Sequence, residues 1–263
     1  MASVENKAQI YRTSAGNAVD FLALLYEDGD IDDSGSGNEL QKRLNTILRA
    51  SADPGQPGVT HFSGIFANLK DRGFRPEFKD PWPSSANQCG HFTTAVHMGF
   101  DPLRAGRYVY DSVKSVAPQV AALPGFPPLT FPFAENLCAR LIVGHEQSTD
   151  AGVDYVVHYR QFLAATDSEI KTFLDAVAAL PNDPKIDISK ASSLISSIRV
   201  GTGEGNSRQD LLLSLYGYKF GSRIRLGNLT TRADAGKWLR GNLEVQTPGI
   251  PVPLSTPSNT AAA

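Results

Sequence analysis

Two histidines on two different helices raise the first chemical question. In "NQCGHFTTAVH", residues 87–97, an amide-rich start leads into an apolar run. At 100° per residue, Cys89, Phe92, Ala95, Val96 and Gly99 form one arc, with Gln88 inside it and His91 on its margin. Asn87 stands one turn before His91, placed to orient the imidazole or a bound ligand, and Gln88 is expected to bond backbone at the helix contact. His97 points the other way and reads as a solvated surface residue. In "ENLCARLIVGHE", residues 135–146, Leu137, Cys138, Leu141 and Ile142 make the apolar arc, with His145 near its centre and Glu146 at its edge. A buried glutamate without a partner costs several kcal/mol, so His91 is the expected partner of Glu146.

A third segment, "GEGNSRQDLLLSLYGYKFG", residues 203–221, carries Ser207 and Asp210 at capping-box spacing, with Asp in the place of Glu. Its Gly217 and Gly221, four apart, would let another helix approach closely, and its Gly-rich entry is a weak candidate for anion binding. Together these segments suggest a cleft with His91, His145, Glu146 and Asp210 as catalytic candidates and Asn87 and Gln88 as ligand-binding candidates. Imidazole and carboxylate can exchange protons with water, or hold a divalent metal such as zinc with one position left for water. The expected function is therefore a helical hydrolase, with or without a metal, of unspecified substrate. No HExxH spacing exists, which excludes a zincin as a motif. A lysozyme-like role for Glu146 lacks an identifiable second carboxylate. The alternative is a non-catalytic binding or structural domain in which the same residues fix helix register.

Residues 28–39, "DGDIDDSGSGNE", suggest a different chemistry. Asp28, Asp30, Asp32 and Glu39 fall at positions 1, 3, 5 and 12 of a loop that resembles the EF-hand calcium site, where oxygen ligands surround the ion. Position 6, normally Gly, is Asp33, and no second such loop is present. A calcium-responsive module is thus a third reading, set against a solvated acidic connection.

Taken in order, His91-Phe92, Gly144 with Glu146, and Ser207-x-x-Asp210-Leu211 followed by two glycines resemble the small helical bacterial proteins of the YfiM-like lipoprotein type. The resemblance spans residues 87–221. His145 stands where that pattern has Lys, the lipoprotein signal is missing, and the first 80 residues have no counterpart. It implies a helical fold and a site, and no reaction.

Helical periodicity runs through most of the chain and predicts elements near 16–27, 39–51, 59–72, 84–99, 102–121, 133–148, 151–165, 167–180, 189–198, 207–220 and 231–241. The one short strand candidate is "SRIRLGNL", residues 222–229. The expected fold is mainly α: one multi-helix domain over residues 1–245 and a disordered Pro/Ser/Thr-rich tail over 246–263. A formal charge of −2 over 263 residues offers no electrostatic case for nucleic acid. No apolar run reaches the roughly 20 residues that cross a bilayer, and no secretory leader is apparent, so a cytoplasmic location or export without a recognisable signal is expected. Cys89 and Cys138 occupy apolar helix positions and read as buried free thiols. Composition speaks to neither partner nor oligomeric state.

Overall fold

The computed structural model describes residues 2–53, 56–60, 69–82, 87–116, 129–148, 155–202 and 206–245, with the side chains of 50–60, 112–116 and 155–158 outside the description. The fold is mainly α. Its helices are α1 (Val4–Ser14), α2 (Ala18–Glu27), α3 (Glu39–Ser51), α4 (Gln88–Phe100), α5 (Pro102–Val116), α6 (Phe131–His145), α7 (Tyr155–Ala164), α8 (Asp167–Ala179), α9 (Ile188–Leu194), α10 (Arg208–Arg225) and α11 (Arg232–Leu243). A short antiparallel pair joins Ala52–Asp53 to Gln56–Thr60, and a 3-10 turn covers Pro76–Phe78. Among the described residues, no helix is long and apolar enough to cross a membrane.

The helices start where side chains satisfy their first free N–H groups. Ser3, Asn17, Thr166, Asp187, Ser207 and Thr231 each accept from a backbone N–H in the following turn. At α8 the box is reciprocal: Thr166 accepts from Glu169 N, and the Glu169 carboxylate accepts from Thr166 N at 3.0 Å. Glu169 also accepts from Arg199 Nε at 2.8 Å. Burial pushes the Glu169 carboxyl upward, but the hydrogen bonds from Arg199 and Thr166 outweigh it and hold the group well below the usual carboxylate range.

One hydrophobic cluster runs from Val4 to Leu243. At its centre lies α10, buried at every residue from Asp210 to Ile224. Phe220 packs its ring against Trp238 at 4.8 Å, Tyr26 at 5.4 Å and Phe92 at 5.8 Å, tying α10 to α11, α2 and α4. The contact between α4 and α10 is made backbone to backbone. A Cβ on Gly217 would lie 2.6 Å from Phe92 O, one on Gly221 2.1 Å from Val96 O, and one on Gly99 2.1 Å from Tyr218 O. The glycine pair legible in the sequence is therefore matched by a third glycine on the facing helix.

Of the helix expected near 59–72, residues 61–68 lie outside the described residues, with strand over 56–60 before them and turn over 69–73 after. Three expectations need correction. The strand candidate at 222–229 is instead the last turn of α10 and its exit, because Gly227, at φ +72°, supplies the left-handed residue that ends a helix. An additional helix, α1, precedes those expected; it buries only Val4, Ala8 and Tyr11, too sparse an apolar face to stand out. His97 is 1 % exposed, not solvated, because α4 is covered on more sides than a two-faced helix. The thiols of Cys89 and Cys138 are free and buried, as expected. The tail from 246 lies outside the described residues.

Two outcomes test this packing. Gly221→Ala gains helix propensity but drives a methyl into a backbone carbonyl, so it should lower stability by about 1–3 kcal/mol in urea melts. Glu169→Gln should lower the melting temperature at pH 7. Because the folded carboxyl is depressed, its stabilisation is present above the unfolded value, about 4, and is lost as pH falls further. The wild type and the variant should therefore converge in strong acid.

Candidate functional site

The site forms where α4, the C-terminus of α6, α7 and the N-terminus of α10 meet. From α4, His91 reaches between two carboxylates: its Nδ1 lies 3.8 Å from Glu146 Oε1 and its Nε2 3.9 Å from Asp210 Oδ2. The ring is 17 % exposed, whereas Glu146 and Asp210 are 1 % and 0 % exposed. His91 therefore faces an opening and the acids lie behind it.

Each acid is held on one oxygen and left open on the other. Glu146 follows α6 as its C-cap, and its Oε2 accepts from Ser207 N at 3.1 Å, leaving Oε1 toward His91. Asp210 Oδ1 accepts from Gln88 Nε2 at 2.7 Å, while Oδ2 is buried with no hydrogen-bond partner. The cap at α10 explains this arrangement. Ser207 Oγ accepts from Asp210 N at 2.9 Å, as the spacing suggested, but Ser207 N donates to Glu146 rather than to Asp210. The capping box is half made, and the Asp210 carboxylate is released into the site.

His145 completes the group. Its Nδ1 lies 2.9 Å from Gln161 Nε2, and its ring centroid is 5.5 Å from that of His91. Which of the two donates depends on the tautomer of His145 and the orientation of the Gln161 amide. The approach of Gln161 depends on Gly144, where a Cβ would lie 1.8 Å from Gln161 O. Among the described residues, His91, His145 and Glu146 are the one group of three metal-ligating side chains whose donor atoms all lie within 4.8 Å of one another.

Burial raises the proton affinity of Glu146 well above the ordinary carboxylate range, and the neighbouring charges of Asp210 and Asp80 add to it; the Ser207 N–H opposes them. Asp210 is raised too, by burial first, with His91, Ser207 and Gln88 opposing and Asp80 adding. Asp80 is itself 6 % exposed and accepts from Trp82 N at 2.8 Å. Three carboxylates thus share one buried region.

The four catalytic candidates come together. Gln88 belongs to the site as well, but through Asp210 and not through backbone as expected: α4 crosses α10 closely enough for its amide to meet the carboxylate. Asn87 is the N-cap of α4 but makes no side-chain capping bond, and its Oδ1 is buried without a partner. Two participants escaped the sequence reading. Gln161 is 1 % exposed on α7, and a buried amide on an apolar face is the signal that could have found it. Asp80 lies in a Pro-rich turn that has no periodicity to read.

The acidic loop is organised around cations of the protein. Asp28 Oδ2 meets Lys7 Nζ at 2.9 Å and the Tyr11 hydroxyl, and Asp30 meets Lys7 at 3.2 Å. Asp33 pairs with the fully buried Arg43 at 2.5 Å, and Glu39 Oε1 accepts from Arg232 N at 2.9 Å. Asp28, Asp30, Asp32 and Glu39 do not gather their oxygens on one point. No protein-family model, curated protein or solved structure matches this chain.

The crowding of acids has a measurable consequence. Glu146→Gln and Asp210→Asn keep the hydrogen bonds to Ser207 N and Gln88 but remove a buried charge that repels its neighbours. In metal-free protein each should leave the melting temperature unchanged or raise it, by the equivalent of about 1 kcal/mol. A large drop in calorimetry would mean that the charge itself holds the fold.

Proposed function

We propose that the protein is a hydrolase that activates water in the cleft of His91, His145 and Glu146, with Asp210 behind His91. The observation that carries this reading is the convergence of the three groups. Ligand atoms of His91, His145 and Glu146 lie within 4.8 Å of one another, while Glu146 Oε2, His91 Nε2 and His145 Nδ1 stand next to Ser207, Asp210 and Gln161. Hydrolysis needs a polarised water and a proton acceptor beside it, and buried carboxylates flanking an imidazole supply the acceptor. Partial exposure of His91 gives a substrate bond access to that water. Gln88 and Gln161 act as positioning residues.

A second reading has an observation of its own. The bonds Gln88–Asp210, Ser207–Glu146 and Gln161–His145 tie α4, α6, α7 and α10 together, as a network fixing helix register would. The two readings part on mutation. Chromogenic ester, phosphodiester, phosphomonoester and glycoside substrates, with a fluorogenic peptide panel, would locate the reaction class. His91→Gln and Glu146→Gln should fold with wild-type helicity and lose turnover by about 10²–10⁴-fold. A structural network instead predicts no turnover by the wild type on any class, and a loss of about 1–3 kcal/mol in each variant.

A further inference from the structure

The geometry points to a divalent transition-metal site, of the zinc class, built from His91 Nδ1, a ring nitrogen of His145 and Glu146 Oε1. It would give the proposed water-activating centre its ion, but its geometry stands whatever the reaction.

Bonds of about 2.0–2.1 Å at tetrahedral angles put neighbouring donor atoms about 3.3 Å apart. His91 Nδ1 and Glu146 Oε1 are 3.8 Å apart, and the three donors lie within 4.8 Å of one another. Side-chain rotations that close about half an ångström to one and a half would complete the triangle. Three protein ligands leave the fourth position to water, the arrangement of a catalytic rather than a structural ion.

A metal-bound histidine ordinarily gives its other ring N–H to a carboxylate or a carbonyl. Binding through His91 Nδ1 puts that proton on Nε2, which faces Asp210 Oδ2 at 3.9 Å. That oxygen is fully buried and has no hydrogen-bond donor. The tautomer imposed by the metal directs an N–H at the acceptor that lacks one. His145 repeats the arrangement with Gln161 on Nδ1, and Glu146 with the Ser207 N–H on Oε2.

A dication lies favourably between buried carboxylates that otherwise repel each other. Two imidazoles and one carboxylate suit zinc, cobalt or nickel, whereas calcium and magnesium prefer an all-oxygen shell. The site is therefore distinct in chemistry from the acidic loop at 28–39.

The test uses the full chain without an affinity tag, stripped by chelator and titrated with Zn(II) and, separately, with Co(II). One equivalent of Zn(II) should bind at sub-micromolar Kd, unaffected by millimolar Mg(II) or Ca(II). Co(II) should give the visible bands of a four-coordinate ion. His145→Gln and Glu146→Gln should weaken binding at least 100-fold while keeping wild-type circular dichroism. Asp210→Asn and Gln161→Leu, which touch no metal, should weaken it about 10–100-fold. No stoichiometric binding by folded wild type, or undiminished binding by both His145→Gln and Glu146→Gln, would overturn the site. Metal bound with no hydrolysis in any class would uphold the site and end the hydrolase reading. Hydrolysis undiminished in the stripped protein would remove the ion from the reaction and overturn its assignment as a catalytic centre.

Discussion

The close crossing of α4 over α10 is the constraint from which the rest of the architecture follows. Three glycines, Gly99, Gly217 and Gly221, let the two backbones touch at positions where any side chain would meet a carbonyl. Such contact costs conformational entropy in the unfolded chain and is repaid by dense packing around a helix buried along its length. It also sets a register. With Phe92 and Val96 seated over Gly217 and Gly221, the N-terminal end of α4 comes to lie over the N-terminal end of α10. Gln88 then reaches Asp210 at 2.7 Å, and His91 falls between Asp210 and Glu146. A second small-residue contact, Gly144 against the backbone of Gln161, does the same for His145.

The energetic character of the site differs from that of the rest of the molecule. Several acids elsewhere are paired closely: Arg240 bonds Glu27 at 2.6 Å and Asp20 at 2.9 Å, and Glu169 is held by Arg199 and Thr166. At the site, acids are buried beside acids, and an imidazole stands 3.8–3.9 Å from each of two carboxylates. Burial of this kind destabilises a fold unless something else is bound or some chemistry is done. That contrast within one chain is a stronger argument for function than the identity of any one residue.

The acidic loop illustrates the opposite outcome. Its aspartates have the spacing of a calcium site, but Lys7, Arg43 and Arg232 come from α1, α3 and α11 to meet the loop. Arg43 is fully buried and also donates to the carbonyls of Leu25 and Tyr26 at the end of α2. Asp28, Asp30, Asp33 and Glu39 thereby bridge the loop to α1, α3 and α11. Spacing along a loop specifies which oxygens can be neighbours; only the packed neighbours decide what they bind.

How much was legible follows the range of the interactions involved. Local rules set the helical class, the cap at Ser207, the buried thiols, and the glycine pair on α10, because each depends on residues within a turn or two. The convergence of His91 with Glu146 was also within reach, since an uncompensated buried carboxylate needs a partner and few were on offer. Tertiary structure alone decided the burial of His97, the recruitment of Asp80 and Gln161, and the turning of Gln88 toward Asp210. It also decided that Ser207 N would serve Glu146 and free Asp210 from its cap. Each of these depends on which helix faces which, a choice made by glycine contacts between segments more than 100 residues apart in the chain for α4 and α10. Periodicity along one helix carries no information about that choice, because it tells which face is buried and not what is buried against it.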